Sequence, residues 1–450
     1  MAVSSPLRLG LFLQETGHHI AGWRTPASPA DDALVFSRYV HLAREAERGL
    51  FDLLFVQDSS AMRGANNLDA LSRTARALTW EPMTTLAALS QVTEHIGLVG
   101  TATTTYNEPY QVARQFASLD HISAGRAGWN LVTSNNEAEA RNFSRRTHPQ
   151  HDDRYVRAEE FLTVVKGLWD SWADDAFLLD KAGGRYFDPA GVQSLNHQGS
   201  HFNVAGPLTI ARPPQGYPLL VQAGSSPSGK ALGAAHADVI FTAQAVLDNA
   251  VAFASDMRAR AKEINRKQAP LIMPGLMPIV GETREAAQEK YERLQALVDP
   301  ALALATLSTT LGEVDLRNYP LDGPLPDLPA ANGPQSRRAM LVDMATRENL
   351  TIRQLALRVT GARGHLIVVG TPDDVADVMS TWLHAGAADG FNIMPADFPS
   401  GLTDFVDGVV PVLQARGLFR RSYAPGTVRD RLGLNRPERV TVKPAPQLTQ

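Results

Sequence analysis

Short apolar runs alternate with amphipathic segments along most of this chain, and the alternation is sharpest between residues 95 and 136. An apolar run over 95–100 ends in the small and hydroxyl residues Thr101, Ala102, Thr103, Thr104 and Thr105. Pro109 then opens a segment with Val112, Phe116, Leu119 and Ile122 at helical spacing. A second run over 129–132 ends in Thr133, Ser134, Asn135 and Asn136. Strand, polar loop, helix and strand in that order make a β-α-β unit, which requires a parallel strand pair. Polar residues gather after the C-terminal end of each strand, where parallel α/β folds bind ligands.

The same alternation continues on both sides. Strands are predicted at 7–13, 51–56, 219–223, 238–243, 271–280 and 391–394, which brings the total to eight. Two prolines blur the ends of the 271–280 strand. Asp31 and Asp32 are predicted to cap a helix that stops at Gly49. Glu81 and Pro82 open the next one. A long helix runs from Asp152 and Asp153 to Trp172, with Phe161, Val164, Val165 and Leu168 as its inner stripe. Further helices are predicted at 247–265, at 283–297 and near 337–360, and Thr371 caps another that runs to about Ala385. Eight strands, most followed by helices, describe an α/β fold of the (β/α)8 TIM-like barrel type, read as a single barrel domain over 1–450. Insertions are expected at about 59–79, 173–218 and 300–360. The first is a candidate cover for the barrel mouth and the second an inserted hairpin or loop. Residues 318–337, rich in Pro, Gly and Asp, read as a surface excursion. A C-terminal extension covers about 420–450, and its Pro-rich end after Asn435 is expected to be loose or to lie against a neighbour.

Composition narrows the chemistry. The 450 residues are 44% hydrophobic and 20% charged, an ordinary globular balance. A net charge of −4 with mixed signs gives no nucleic-acid or membrane-surface footprint. With no cysteine, disulfides, thiolate catalysis and thiolate metal sites are excluded. The opening residues lack the pattern of a signal peptide and no apolar run reaches about 18 residues, so a cytoplasmic protein is expected. His197 and His201 share a His-x-x-x-His spacing but lack the Glu of zinc proteases, and no metal is assigned. Gly224 to Ser228 misses the last glycine of a hydrolase elbow. Neither a Walker loop nor a Gly-x-Gly-x-x-Gly fingerprint is present, so the chain is not expected to oxidise NADH on a Rossmann module of its own.

The stretch GLVGTATTTYNEPYQVARQFASLDHISAGRAGWNLVTS resembles the signature of the bacterial luciferase-like FMN-dependent monooxygenases, and more narrowly their nitrilotriacetate and dibenzothiophene-sulfone monooxygenase branch. The likeness continues in HDDRYVRAEEFLTVVKGLWDSW, in GPLTIARPPQGYPLLVQAGSSPSG and in GTPDDVADVMSTWLHAGAADGFNIMPADF, so it spans 97–398. The resemblance implies a luciferase-like barrel and a two-component flavoprotein. Reduced FMN would come from a separate NADH:FMN oxidoreductase. With O2 it would oxygenate a small organic substrate, xenobiotic nitrogen, sulfur or halogen compounds among them. Homodimers or homotetramers are implied as well. Two other readings stand beside it: hydride transfer with a deazaflavin on the same barrel, and a non-catalytic flavin-binding barrel.

Several residues are candidates for the cofactor. Asp58 follows the second strand; it is a loop cap on its own, and an FMN contact by the resemblance. Thr103 and Thr104 end the third strand, where hydroxyls bond either a flavin or the loop backbone; the resemblance favours Thr104, within one residue. Asn130 lies inside a buried strand and needs partners, either the isoalloxazine or a structural network. His151 and Tyr155 share one face at a helix start, which favours anions; they resemble the family's pair near the FMN phosphate and ring. Ser225 and Ser226 open the helix after the fifth strand, as phosphate ligands by the resemblance or as a plain N-cap. Gln14, His18, His19 and Trp23 follow the first strand and are candidates for the substrate side. His365 precedes an apolar run and reads as packed or solvent-facing rather than catalytic. Arg154 is a phosphate partner or half of a surface ion pair. With Arg24 it is the only cation visible near the strand ends, which reads against a polyanionic substrate. No catalytic acid or base is assigned.

Overall fold

A computed structural model describes residues 7–312, 314–328 and 335–441. Its strands in chain order are β1 Arg8–Leu13, β2 Leu53–Val56, β3 Gly97–Thr103, β4 Ala127–Val132, β5 His197–Gln198, β6 Asn203–Val204, β7 Leu219–Gln222, β8 Val239–Thr242, β9 Leu271–Val280, β10 Leu366–Gly370 and β11 Gly390–Ile393. Eight of them close a parallel ring in the order β1-β2-β3-β4-β7-β8-β9-β11 and back to β1. Gly10 pairs with Leu53, Thr101 with Asn130, Val239 with Leu271, and Arg8 with Gly390. The chain is therefore a (β/α)8 barrel.

Side-chain alternation sorts the core into two layers. Phe12, Phe55, Val99, Val221, Phe241 and Met273 fill the barrel. The intervening Leu9, Leu11, Leu54, Leu98 and Ile393 point outward against the helices. The Phe12 ring stands edge-on to Phe55 at 5.0 Å and to Phe241 at 5.4 Å, a favoured aromatic geometry. Helices start where the sequence supplies caps: Glu81 accepts from the N–H groups of Met83 and Thr84, and Thr371 forms a reciprocal capping box with Asp374.

The structure corrects the sequence reading in several places. Asp31 and Asp32 do not cap the first long helix. Asp32 is buried and ion-paired with Arg38 at 3.1 Å, residues Asp32–Leu34 form a 3₁₀ turn, and the helix Phe36–Arg48 starts after Val35. The helix Pro300–Thr310 was not expected; its ALALATLSTT sequence has no polar face to reveal a period. β10 is a ninth strand of the sheet. Leu276 of β9 pairs with Ile393 on one side and with Leu366 of β10 on the other, so β10 takes over the edge that β8 leaves at Pro274.

The end of the chain is not loose where it is described. Val428, Leu432 and Leu434 join the barrel's interior cluster. A β-carbon on Gly97, the first residue of β3, would stand 2.7 Å from Val428, so these residues plug the N-terminal end of the barrel. Arg436 then pairs with Asp174 at 2.6 Å, and the Val440 N–H donates to Asp170. Residues 442–450 lie outside the described residues, as does part of the 318–337 excursion.

Segments away from the ring cover its other end. Residues 59–79 hold the short helix Leu68–Leu71 and a 3₁₀ turn, Ala75–Ala77. They are tied down by the Trp23 indole N–H to Arg73 O at 3.3 Å and by Arg73 to Asp299 at 2.7 Å. Within 173–218, β5 and β6 form a short antiparallel hairpin, and His197 is bonded to Glu160 at 3.1 Å. The helices Pro300–Thr310, Gln335–Arg347 and Ile352–Ala362 supply a separate apolar cluster that includes Ile20.

Candidate functional site

Three groups of polar side chains meet the C-terminal ends of the barrel strands, the face on which such barrels bind ligands. The first runs across β2, β3 and β4. Asn130 alternates with Trp129 and Leu131, which point outward into the helix layer, so its amide points into the barrel. Its Nδ2 donates to Thr101 Oγ1 at 2.8 Å, and Thr101 donates to Val56 O at 2.9 Å. Asn130 Oδ1 is buried with no partner among the described residues. Such an acceptor costs about 1–3 kcal/mol when left unbonded, and an N–H from a bound ring would satisfy it.

Above Asn130, Glu139 is 3% exposed and accepts from Ser134 at 2.6 Å and from Ser59 at 3.0 Å. Ser134 in turn stands 2.8 Å from Thr103 Oγ1. Asp58 is half-buried just past β2. Burial pushes its carboxyl up to about 6, and the negative charges of Glu139 and Glu81 act in the same direction. Arg63 reaches Asn135 Oδ1 at 2.9 Å. It is exposed, yet surrounding protein lowers its pKa, as expected of a side chain lining a concave space. Thr104 is turned away from that space: its N–H and hydroxyl both face Val132 O, at 2.9 and 3.3 Å. Both threonine hydroxyls are thus engaged within the chain.

The second group is a corner where two helix starts face each other. Helices His151–Trp169 and Pro227–His236 are joined at their first turns by Ser228 Oγ to Asp152 Oδ1 at 3.3 Å. The His151 and Tyr155 rings lie 4.9 Å apart. A β-carbon on either Gly224 or Gly229 would stand 3.0 Å from Tyr155 Oη, so bare backbone lies beneath that hydroxyl. Ser226 is the N-cap of the second helix, accepting from Gly229 N at 3.1 Å, and Ser225 precedes it in the same loop. Gln150, at the N-cap of the first helix, makes no side-chain cap. Arg154 is 3% exposed and donates to Pro149 O at 2.7 Å, while its Nε has no partner among the described residues. It is therefore a buried cation and not half of a surface ion pair. Tyr106 Oη is 2.5 Å from His148 Nδ1, and Tyr106 stacks on Phe143 at 4.9 Å. Burial and the Arg154 charge lower the His148 pKa. Two helix starts, a buried guanidinium and glycine backbone make a corner suited to an anion.

The third group follows β1. His18 is fully buried; its Nε2 donates to Phe12 O at 2.8 Å and its Nδ1 accepts from Arg363 Nη2 at 2.9 Å. The same Nη2 donates to Gln14 Oε1 at 3.0 Å. Arg76, from the 59–79 cover, donates to His18 O. His19 accepts from Ala21 N at 3.2 Å, and burial lowers its pKa to about 3. Trp23 holds the cover rather than facing the mouth. His365 is buried and stacked on Phe241 at 5.1 Å.

Asp58, Asn130 and Thr103 thus share one wall of the mouth, and His151, Tyr155, Ser225 and Ser226 share one corner. Gln14, His18 and His19 line the side after β1. Sequence reasoning missed Glu139, Arg63, Tyr106 with His148, and the two arginines at His18. Tyr106 was within reach, because it sits in the polar run after β3. Arg76 and Arg363 were not, because 287 residues separate them and only the fold joins them. The counted cations, Arg24 and Arg154, were therefore an incomplete set.

The model of the luciferase-like monooxygenase family matches residues 16–389. N-acetyl-S-(2-succino)cysteine monooxygenase of Bacillus subtilis is 50% identical over 96% of this chain and 97% of its own length. Nitrilotriacetate monooxygenase component A of Aminobacter aminovorans is 50% identical over 99% of this chain and all of its own. Among solved structures, a riboflavin lyase with modified FMN and riboflavin superposes with a TM-score of 0.85 at 30% identity, over 96% of this chain and 97% of the other. Among the described residues no helix is long and apolar enough to cross a membrane. Family match, near-full-length relatives and barrel agree: the chain belongs to the luciferase-like monooxygenase family.

Proposed function

We propose that this chain is the oxygenating component of a two-component monooxygenase, using reduced FMN delivered by a separate NADH:FMN oxidoreductase. The observation that carries the reading is the corner at Tyr155, where two helix starts, buried Arg154 and the bare backbone of Gly224 and Gly229 converge. That donor set fits a flavin's phosphate, and the unpartnered Asn130 Oδ1 fits an N–H on its ring edge. The name "component A" of a relative with 50% identity supports a separate reductase. The whole chain is read as one barrel domain with insertions, assembling as a homodimer or homotetramer.

When bound, reduced FMN supplies the two electrons with which O2 is split, one atom going to the substrate and the other to water. The chain's own residues bind and orient. Tyr155, Ser225, Ser226 and the N–H groups of both helix starts hold the phosphate, and Arg154 balances its charge. Asn130 sets the ring's position, with Thr103 in the surrounding wall and His151 at the phosphate corner, while Thr104 supports the loop from behind. Asp58, whose carboxyl burial raises to about 6, is mostly ionised at neutral pH and takes up a proton at the ring side as pH falls through that value. The 59–79 cover and Trp23 exclude water from the mouth. The substrate stands on the β1 side, next to Gln14, His18 and His19.

Purified protein with FMN, O2 and NADH is expected to oxidise little NADH alone. It should oxygenate a member of a screen of small sulfur, nitrogen and halogen compounds once an unrelated flavin reductase is added. Rapid NADH oxidation without the reductase would contradict the two-component reading.

A further inference from the structure

We infer that Glu139 is a positioning residue of the flavin site. It fixes the direction of the protons along Thr103, Ser134 and Glu139, so that the wall made by β3 and β4 offers lone pairs to the ring and favours its reduced form. The inference rests on the flavin reading above and deepens it by naming the residue that selects the redox state.

Ser134 Oγ stands 2.6 Å from Glu139 Oε2 and 2.8 Å from Thr103 Oγ1. A hydroxyl has one proton to give and two lone pairs, whereas a carboxylate only accepts. The shorter, charge-assisted bond takes the Ser134 proton, so Thr103 donates across the 2.8 Å contact. Thr103 Oγ1 also accepts from the Thr105 N–H at 3.1 Å, which leaves it one lone pair and no proton. Alternation along β3 puts Thr103 on the same face as Val99 and Thr101, inside the barrel. On the adjacent strand Asn130 supplies the second acceptor. Thr101 spends its proton on Val56 O, so Asn130 turns Nδ2 toward Thr101, and Oδ1 is left buried and unpartnered among the described residues.

The placement of Glu139 serves this chain of bonds. It opens the short helix Glu139–Asn142, is buried, and accepts from Ser59 at 3.0 Å on its other oxygen. Ser134 lies at φ 53°, a left-handed conformation that non-glycine residues seldom adopt, and the bonds to Glu139 and Thr103 hold its side chain there. Arg63 feels the charges of both Glu139 and Asp58, which offsets part of the cost of burying a carboxylate.

Hydrogen bonds to ring nitrogens are one of the means by which a protein tunes a flavin. The oxidised ring carries an N–H at N3 and a bare acceptor at N5; reduction turns N5 into a further donor. Lone pairs on Thr103 and Asn130 suit the donor-rich reduced ring, whereas a proton on the free side of Thr103 would suit the oxidised one. Glu139 thus acts on the cofactor through Ser134 and Thr103.

The test is the ratio of two affinities, measured by anaerobic titration of the full chain with oxidised and with reduced FMN. The wild type should bind the reduced form up to about tenfold more tightly. Glu139→Gln keeps the shape but can donate from its amide. Ser134 is then free to turn its proton to Thr103, and Thr103 to turn its own into the mouth. Affinity for reduced FMN should fall while affinity for oxidised FMN rises, opposite changes that a merely structural role would not give. Thr103→Val should weaken the reduced form and leave the oxidised form nearly unchanged. Ser59→Ala, which touches Glu139 outside the chain of bonds, should keep the ratio. Should Glu139→Gln fail to fold, Ser134→Gly suits the left-handed backbone, cuts the same chain and should also shrink the ratio. Equal wild-type affinities, or variants in which both redox forms weaken by the same factor, would overturn the inference. A reduced-form preference that survives Glu139→Gln and Ser134→Gly would overturn it alone and leave the flavin site standing. A protein that binds neither form would contradict the flavin reading and this inference with it.

Discussion

Tyr155 holds its hydroxyl 3.0 Å from the point where a β-carbon on Gly229 would stand. The same β-carbon would lie 3.0 Å from backbone atoms of Gly224, which cannot yield as a side-chain end can, so the strain falls on the Tyr155 hydroxyl. Gly229→Ala should therefore close the space in which a phosphate would sit. Each hydrogen bond lost to a charged group costs about 1.5–3 kcal/mol, so affinity for reduced FMN should fall about tenfold or more in an anaerobic titration. Ser226→Ala is a weaker test on its own, because Ser226 also caps its helix, and a lost cap costs about 0.5–2 kcal/mol of stability. Combined with Tyr155→Phe it should weaken FMN beyond any change in thermal stability. Unchanged affinity in both Gly229→Ala and the double variant would move the phosphate elsewhere.

At the other end of the barrel, Arg429 clamps Asp238 with two bonds of 2.7 and 3.1 Å, and both side chains are largely shielded from water. Asp238 also accepts from Leu220 N at 2.9 Å, so the clamp ties the C-terminal plug to β7 and β8. Arg429→Met would leave a carboxylate with less compensation. Breaking a buried pair costs about 3–5 kcal/mol, and Arg266, 3.7 Å from Asp238, should keep the loss near the lower value. A urea titration should show it as a lower midpoint. A midpoint within error of wild type would mean that the plug is not anchored there.

How much of this was legible beforehand depended on how local each feature is. β9 was visible as 271–280 because ten apolar residues in a row need no partner to be recognised. Asn130 stood out as one amide between Trp129 and Leu131, and its partner Thr101 lies on the adjacent strand. The helix Pro300–Thr310 was missed because its apolar residues run all round, and β10 because five residues after His365 resemble any short apolar run. Val428, Leu432 and Leu434 read only as part of a C-terminal extension, since their cover is the inside of a barrel closed by strands hundreds of residues earlier. Arg76 and Arg363 have no sequence signal: each is an ordinary arginine until helix Ile352–Ala362 and the 59–79 cover meet over His18.

His19 gives a prediction in pH. Its pKa is about 3 in the folded chain against 6.5 for the free side chain, with burial as the main cause and the Arg76 charge adding to it. Below pH 6.5 the unfolded chain takes up a proton that the folded chain refuses, so stability falls as pH drops from 6.5 toward 3 and is fully present above that window. The slope from one such group approaches about 1.4 kcal/mol per pH unit. His19→Gln keeps an acceptor for the Ala21 N–H without the titration. Its stability curve should be flatter than the wild-type curve below about pH 6.5 and parallel to it above about pH 7.5. Equal slopes in urea midpoints across that range would contradict the burial of a neutral His19.

Asn130 separates binding from turnover. In the free protein its Nδ2 makes one bond to Thr101, worth about 0.5–1.5 kcal/mol, while its Oδ1 is an unsatisfied acceptor costing about 1–3 kcal/mol. Asn130→Ala removes both, so the stability of the flavin-free protein should change by no more than about 1 kcal/mol. With reduced FMN bound, the variant lacks the acceptor proposed for the ring edge, while the phosphate corner at Tyr155 is untouched. Affinity should then fall by less than about tenfold. Misplacing a reacting group by about 1 Å can cost about a hundredfold in rate, so the larger loss should appear in single-turnover oxygenation. Hydrogen peroxide released per NADH consumed should rise as coupling to substrate is lost. A variant that binds FMN poorly but oxygenates normally once saturated would place Asn130 in binding alone. One that loses several kcal/mol without flavin would show that Oδ1 is satisfied within the chain, and the ring would then need another acceptor.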